Sequence, residues 1–230
     1  MIIHGLQKLT LVDYPGYMAA ILFTGSCNFR CPFCHNGRLV LSAKDEPVVS
    51  QAEIFSFLEK RRGMLDGVVV TGGEPTLNKD LIPFLESIKA LGYKVKLDTN
   101  GYRPDVLESA LASGAVDYVA MDIKNSIDMY PATAGLCFFS PERIERSVDL
   151  LMAGNVEYEF RTTVVKEHHS EENFKRIGAW LRGAEKYFLQ SFIKSEDTID
   201  KSLNPPSLED LQNYQKILRN YIDNVQIRDC

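Results

Sequence analysis

The chain has 230 residues, of which 45% are hydrophobic and 25% charged, and its formal net charge at pH 7 is -5. A chain of this length and composition can bury one sizeable core, so we expect a single domain over residues 1–230. The mild acidity and the lack of a lysine- or arginine-rich block argue against nucleic-acid binding. The nearest apolar run, 18–23, is too short for a signal sequence or a membrane span, which favours a cytoplasmic protein without membrane association.

Six short apolar segments along the chain have the length of buried β-strands. Between them, apolar residues recur at the spacing of one helical face, most clearly over 81–91 and 106–111. Ser50 and Ser207 are predicted to begin helices as N-caps, and Ser140 precedes a proline typical of a first helical turn. In chain order, the predicted strands span 19–24, 67–71, 93–98, 116–121, 157–164 and 187–192.

Alternating strands and helices predict an α/β fold whose parallel sheet has right-handed crossovers. Periodicity does not distinguish an open doubly wound sheet from a curved partial barrel. In both architectures ligands bind at the carboxyl ends of the strands. Four motifs follow or end successive predicted strands and should therefore meet on one face, namely a cysteine run over 27–34, Gly72-Gly-Glu-Pro75, Asp98-Thr-Asn-Gly101 and Asp122-Ile-Lys124.

The cysteine run places Cys27, Cys31 and Cys34 at the spacing C-x3-C-x2-C, with no fourth cysteine nearby. Iron-sulfur clusters are bound by soft thiolates, and a four-iron cluster normally takes four, so three would leave one iron open. Disulfides are disfavoured because the chain has five cysteines, an odd number at low density. A zinc site made of the three thiolates and His35 stays open chemically, although zinc sites usually combine two separate ligand clusters.

The remaining cysteines and histidines are not predicted to be ligands. Cys137 lies in an apolar segment and is interpreted as a buried small hydrophobe, while Cys230 is the last residue and is predicted to be mobile. His4, His168 and His169 are interpreted as solvated loop residues.

Taken in order, these motifs resemble those of radical S-adenosylmethionine (SAM) enzymes, and specifically the branch of activating enzymes that install glycyl radicals. Within that branch, the segment 27–36 is most similar to the activating enzymes of anaerobic ribonucleoside-triphosphate reductases. The resemblance also includes Asp13-Tyr-Pro-Gly16 and 159–165, so that its markers span about two thirds of the chain. It implies a partial (βα)6 barrel with a curved parallel sheet. Ser26 departs from the pattern, since a glycine often precedes the first cysteine.

The resemblance also implies a reaction. One [4Fe-4S] cluster on Cys27, Cys31 and Cys34 would bind SAM at its open iron and cleave it reductively to a 5'-deoxyadenosyl radical, which abstracts hydrogen from a glycine of a partner enzyme. The implied partners are anaerobic ribonucleotide reductase and, as electron donor, flavodoxin or ferredoxin. No separate catalytic side chain is implied, because the cofactor carries the chemistry. Alternatives are another glycyl-radical enzyme of the pyruvate formate-lyase type, a small-molecule or peptide substrate, or a non-catalytic zinc module.

Nine residues are implied to contact SAM. Glycines and a glutamate would receive its amino end, an aromatic pair its adenine, and two aspartates would lie at its carboxylate end, where they can hold a monovalent cation. A lysine and an arginine would contact the cofactor directly, since a buried carboxylate needs cations around it. In the order of these roles, the residues are Gly72, Gly73, Glu74, Phe33, His35, Asp98, Asp122, Lys124 and Arg161.

Some of these residues also have a purely structural interpretation. Phe33 taken alone is more typical of core packing. Asp98 is equally suited to cap the turn before Gly101, and Lys124 and Arg161 to form salt bridges at the rim.

Overall fold

Eight strands form one sheet in sequential order. The computed structural model describes residues 1–154 and 156–228. The first two strands pair antiparallel, and each later neighbouring pair is parallel. The strands are β1 (Ile3–Thr10), β2 (Ala19–Thr24), β3 (Gly67–Gly72), β4 (Lys94–Thr99), β5 (Tyr118–Asp122), β6 (Glu157–Val164), β7 (Tyr187–Ser191) and β8 (Val225–Arg228).

Helices lie between the parallel strands and cover the outer face of the sheet. Within the described ranges they are α1 (Gly37–Leu41), α2 (Gln51–Lys60), α3 (Leu81–Ala90), α4 (Pro104–Ala112), α5 (Tyr130–Ala134), α6 (Pro141–Met152), α7 (Glu171–Trp180) and α8 (Leu208–Leu218). In the part of the chain that the structure describes, every helix is too short or too polar to cross a membrane.

The predicted α/β partial barrel is confirmed, and each of the six predicted strands is present to within two residues at either end. Two further strands were not predicted. Strand β1 is an edge strand whose middle residues are half-buried or exposed, so its apolar residues do not alternate. Strand β8 has only four residues and forms the other edge. An edge strand packs on one side only, which weakens its pattern in the sequence.

The sheet separates two apolar layers. Val95 and Leu97 of β4 point outward into the main core beneath the helices, whereas the alternate residues Lys96 and Asp98 lie on the inner face. A second, smaller cluster fills the barrel interior near the beginnings of the strands, where Tyr14 is buried. This apolar cluster closes the amino ends of the strands and leaves the carboxyl ends for a binding site.

The helix starts agree in part with the sequence. As predicted, the Ser207 side chain accepts a hydrogen bond from the Asp210 N–H, and the Asp210 side chain accepts one from the Ser207 N–H. The Ser50 side chain caps α2 by accepting from the Glu53 N–H. Ser140 precedes α6 but its hydroxyl donates to the Glu142 carboxylate instead of accepting from a backbone N–H. Ser140 is therefore the N-cap residue by position, before the predicted first-turn proline, but its side chain does not cap the helix.

Candidate functional site

A cavity of about 350 Å³ lies at the carboxyl ends of the parallel strands. The three cysteines and all nine residues implied to contact SAM line it, so the structure brings the complete predicted set together. The wall also includes side chains to which the sequence analysis gave no role in SAM binding, among them Gln7, Asp13, Asn36, Val40, Thr163 and Gln190. The convergence follows from topology, because β2 to β7 run parallel and end at the same edge.

The cysteine loop leaves β2 and is held by local hydrogen bonds. The Phe29 N–H donates to Cys27 Sγ at 3.3 Å, and the Cys34 N–H donates to the Cys31 carbonyl at 3.0 Å. Burial raises the pKa of Cys27 to about 12 and that of Cys31 to about 11, so without a cation both are thiols at neutral pH. Binding of iron would displace these protons and convert the thiols to thiolates.

These residues fit an iron-sulfur cluster. Three soft sulfur donors share one cavity, and the Asn28 side-chain N–H group, beside Cys27, is buried without a hydrogen-bond partner among the described residues. Such an orphaned donor is suited to a ligand that carries negative charge, as a cluster with bound sulfide does.

The zinc alternative gains no support from the geometry. The His35 ring stacks on Phe192, with 5.7 Å between ring centroids and 25° between planes. Among the described residues, no group of three or more His, Cys, Asp or Glu side chains is gathered as a single metal ion requires.

Cys137 is exposed and lies outside the cavity lining, so the prediction that it is buried is wrong. Leu136 and Phe139 make the core contacts of that loop instead, and Cys230 lies outside the described residues.

The backbone conformation of Ser26 explains why a glycine is common before the first cysteine. Its φ angle is 63°, in the left-handed region that glycine adopts without cost. Two backbone hydrogen bonds fix this conformation, from the Ser26 N–H to the Leu39 carbonyl at 2.7 Å and from the Glu74 N–H to the Ser26 carbonyl at 2.8 Å. The turn into the cysteine loop therefore stores backbone strain at this serine.

Replacing Ser26 with glycine is expected to stabilise the protein by about 0.5–1 kcal/mol, because relief of the strain exceeds the entropy that glycine adds to the unfolded chain. Urea denaturation of cluster-free protein measures the change. Ser42, whose φ angle is -134°, provides the matched control, and its change to glycine should stabilise nothing. Equal shifts in the two variants would refute the strain at Ser26.

The glycine pair at the end of β3 is required because its backbone lies close to the backbone after β2. A Cβ atom on Gly72 would lie 2.4 Å from the Thr24 carbonyl oxygen, and one on Gly73 would lie 2.0 Å from the Ser26 carbonyl oxygen. Gly72 also has a φ angle of +111°. The missing side chains let the β3 loop pack directly on the backbone that leads into the cysteine loop. Contact of these glycines with the amino end of SAM stays a prediction.

The Glu74 carboxylate joins two loops of the cavity wall. Its Oε1 atom accepts hydrogen bonds from the Thr76 N–H and hydroxyl and from the Thr99 hydroxyl, and its Oε2 atom accepts one from the Asn100 N–H at 2.7 Å. Burial raises the pKa of Glu74, and these hydrogen bonds oppose the rise. Oε2 has one partner and is thus the atom of Glu74 best able to accept a further hydrogen bond from a ligand.

Five charged side chains, Lys96, Asp98, Arg161, Asp122 and Lys124, form a continuous charged row along one wall. Arg161 donates through Nη2 to Asp98 Oδ2 at 3.1 Å and through Nε to Asp122 Oδ1. Lys96 Nζ lies 2.5 Å from Asp98 Oδ1, and Lys124 Nζ lies 2.7 Å from Asp122 Oδ2. Although burial favours the neutral acids, the cations hold the pKa values of both aspartates below their ordinary range.

The contacts of Asp98 and Arg161 bear on their structural alternatives. Asp98 does not cap the turn that follows it, because Thr99 Oγ1 accepts from the Gly101 N–H and Asn100 Oδ1 accepts from the Tyr102 N–H. Arg161 does form salt bridges, as the structural interpretation proposed, but at the cavity wall, where its side chain is only 15% exposed.

Sequence reasoning missed Lys96. A signal was present, because a strand that alternates places Lys96 and Asp98 on the same face, opposite Val95 and Leu97. This alternation indicates a buried lysine only when the strand and its buried inner face are already known.

His169 is buried, and its interpretation as a solvated loop residue is wrong. Its Nε2 atom lies 2.9 Å from the Lys124 carbonyl oxygen, and the Val165 N–H donates to its Nδ1 atom at 3.0 Å. An Nδ1 atom that accepts a hydrogen bond carries no proton, so the neutral ring donates through Nε2. Burial lowers the pKa of His169 to about 4. The neutral ring therefore ties the loop after β6 to the backbone of a cavity residue, and burial opposes its protonation.

Lowering the pH from 7.5 to 5 is expected to reduce the free energy of unfolding by about 2 kcal/mol through His169. The folded-state pKa lies below the unfolded value, so the contribution is complete above about pH 6.5 and is lost as the pH falls toward 4. Urea denaturation across this range measures the slope. The H169Q variant should be less stable at pH 7.5 but should lose this part of the slope, and an unchanged slope would assign the effect to other groups.

Comparisons with known proteins identify the family of the chain. The model of the radical SAM superfamily matches residues 21–177, which contain the cysteine loop and the charged row. The chain is 35% identical over 235 residues to a protein of Methanocaldococcus jannaschii provisionally named a glycyl-radical enzyme activating enzyme, and the match covers 99% of this chain and 95% of the relative.

Two solved structures share the fold. A radical SAM methyltransferase from Sphaerobacter thermophilus has a TM-score of 0.74 at 16% identity and covers 96% of this chain and 68% of its own. A domain of pyruvate-formate lyase-activating enzyme from Bacteroides vulgatus has a TM-score of 0.57 at 20% identity and covers 71% of this chain and 99% of its own. These likenesses concern the fold alone. The family match over two thirds of the chain and the relative matched from end to end agree that the chain belongs to the radical SAM superfamily.

Proposed function

We propose that the chain is an activating enzyme that uses a [4Fe-4S] cluster and SAM to install a radical on a glycine of a partner enzyme. Membership of the superfamily implies both cofactors. The observation that carries the proposal is that three cysteines and four side chains of the charged row, Asp98, Asp122, Lys124 and Arg161, line one cavity. The name of the Methanocaldococcus jannaschii relative supports the glycine as target.

Different residues of the cavity are suited to bind the cluster and the two ends of the amino-acid part of SAM. Cys27, Cys31 and Cys34 would hold the cluster. Arg161 and Lys124 present cationic groups to the cavity and suit the carboxylate of SAM, while Glu74 Oε2 suits its amine. When bound, the cluster and SAM supply the homolytic cleavage of a carbon-sulfur bond, for which no acid or base of the protein is needed.

The net reaction has a simple balance. One electron and one SAM are consumed, and methionine, 5'-deoxyadenosine and one glycyl radical are produced, with the glycine hydrogen transferred to deoxyadenosine. We propose flavodoxin or ferredoxin as the source of the electron, since both are low-potential one-electron donors.

The partner glycine must approach the cavity on a loop. Among the described residues the sheet is not closed, since β1 and β8 are its two edges and do not pair with each other. Gln7 of β1 and Gln190 of β7 line the cavity near these edges. Such an opening suits an extended peptide segment. The resemblance of the cysteine segment favours anaerobic ribonucleotide reductase as the partner.

The test is anaerobic incubation of the reconstituted protein with SAM, dithionite and a candidate partner, followed by electron paramagnetic resonance. We expect a glycyl doublet on anaerobic ribonucleotide reductase and none when its target glycine is changed to alanine. A doublet on a pyruvate formate-lyase instead would keep the activity and change the partner. Deoxyadenosine formation that depends on a small molecule, without a doublet on any large enzyme, would refute the proposal in favour of a small-molecule substrate.

A further inference from the structure

The ammonium group of Lys96 lies beneath the cavity, inside the barrel. Its side chain is only 1% exposed, and it does not line the cavity itself. Asp98 is its only ion-pair partner among the described residues. The nearby carboxylate of Glu159 is paired with Arg228 and accepts from the Tyr118 hydroxyl, so it is already compensated. A buried lysine is costly unless its charge has a use or a partner.

Within the charged row, each carboxylate oxygen of the two aspartates pairs with a lysine or with Arg161. Asp98 has Lys96 on Oδ1 and Arg161 on Oδ2, while Asp122 has Arg161 on Oδ1 and Lys124 on Oδ2. A monovalent metal ion between the two aspartates would have to bind oxygens that each already pair with a cation, and these three cations would repel it. The monovalent cation implied by the family resemblance therefore does not fit this chain.

We propose that Lys96 is a tethered counter-ion that takes the place of that cation. It neutralises Asp98 and leaves the row with three cations and two carboxylates, a net charge of +1 that is complementary to the carboxylate of SAM. Lys96 is a positioning residue, because it acts on the cofactor through Asp98 and Arg161. SAM binding by this chain is consequently independent of sodium and potassium ions. The inference rests on the proposed cofactor site, whereas its melting test below does not.

The decisive variant is K96M, which keeps the length of the side chain and removes its charge. SAM affinity of the cluster-loaded protein is measured at constant ionic strength in potassium chloride and in tetramethylammonium chloride, whose cation is too large to enter. We expect the wild-type affinity to differ by less than about twofold between the salts. K96M should bind about tenfold more weakly in tetramethylammonium and recover most of this loss in 0.1 M potassium or ammonium chloride, as occupancy of a vacated site predicts.

A second measurement needs neither cluster nor SAM. The melting temperature of cluster-free K96M should be higher in potassium than in tetramethylammonium, while the wild-type protein shows no such difference. The K94M variant is the matched control, since Lys94 lies on the same strand but is half exposed and pairs with Asp117 at the opposite end of the barrel. The double variant K96M/D98N, which removes both charges, should lose the response to potassium.

Three results would overturn the proposal. They are a wild-type affinity that depends on potassium, a K96M affinity equal to that of the wild type in tetramethylammonium, and a K96M loss that neither potassium nor ammonium relieves. The last result would make Lys96 purely structural. If the wild-type protein bound no SAM at all, the proposed function would fail, and the melting experiment would still decide the role of Lys96.

Discussion

Replacing Cys31 with alanine is expected to prevent cluster binding and to lower SAM cleavage by more than about a hundredfold, since even outer partners of a metal site cost 10–100-fold. Cys31 is the most buried of the three cysteines of the cavity. Alanine fills much of the same apolar space, so the fold should lose only about 1 kcal/mol and remain intact by circular dichroism. Iron and sulfide content and deoxyadenosine release after anaerobic reconstitution measure the effect.

Cys137 provides a matched cysteine for this experiment. It is exposed and does not line the cavity, so C137A should keep the wild-type iron content and SAM cleavage. Loss of the cluster in C137A would mean that a fourth thiolate closes it, and the open iron on which the proposed function depends would not exist. Full iron content in C31A would reject the assignment of the ligands. Zinc without iron in the wild-type protein would support the non-catalytic alternative.

The fold was largely predictable because its central strands carry strong local signals. Parallel strands that are buried on both faces are continuous apolar runs, as β3 and β5 are, and each is followed by an amphipathic helix. The edge strands β1 and β8 lack this signal, since one side of each has no neighbour in the sheet. Curvature was not predictable from periodicity, because the same alternation of strands and helices gives open and barrel-like sheets.

The convergence of the proposed site residues on one cavity was predictable from the sequence, but the bonds among them were not. Parallel topology requires that motifs at successive strand ends share one face, and this sufficed to bring Cys27 and Arg161 into one cavity. The hydrogen bonds of Glu74, the close approach of Gly73 to Ser26 and the burial of Lys96 depend on distances between loops far apart in sequence. Such distances leave no periodic pattern in a single sequence.

The R161M variant should be destabilised by about 3–5 kcal/mol, because it leaves two buried carboxylates that shared one guanidinium. R161K should recover only part of this loss, since an ammonium lacks the planar fork that bonds Asp98 and Asp122 at once. Urea denaturation of cluster-free protein at pH 7 measures both variants, and SAM binding by the reconstituted proteins should weaken in the same order.

Burial is what makes Arg161 different from an ordinary ion-paired arginine. Arg176 also contacts two carboxylates, those of Asp128 and Glu172, but its side chain is 52% exposed. R176M is the matched control and should cost no more than about 1 kcal/mol, because water screens exposed pairs. In the double variant R161M/D122N, removal of one of the two carboxylates that lost the guanidinium should restore part of the lost stability. If R161M cost as little as R176M, the charged row would not be a buried, mutually dependent unit, and its role in holding a carboxylate ligand would have to be abandoned.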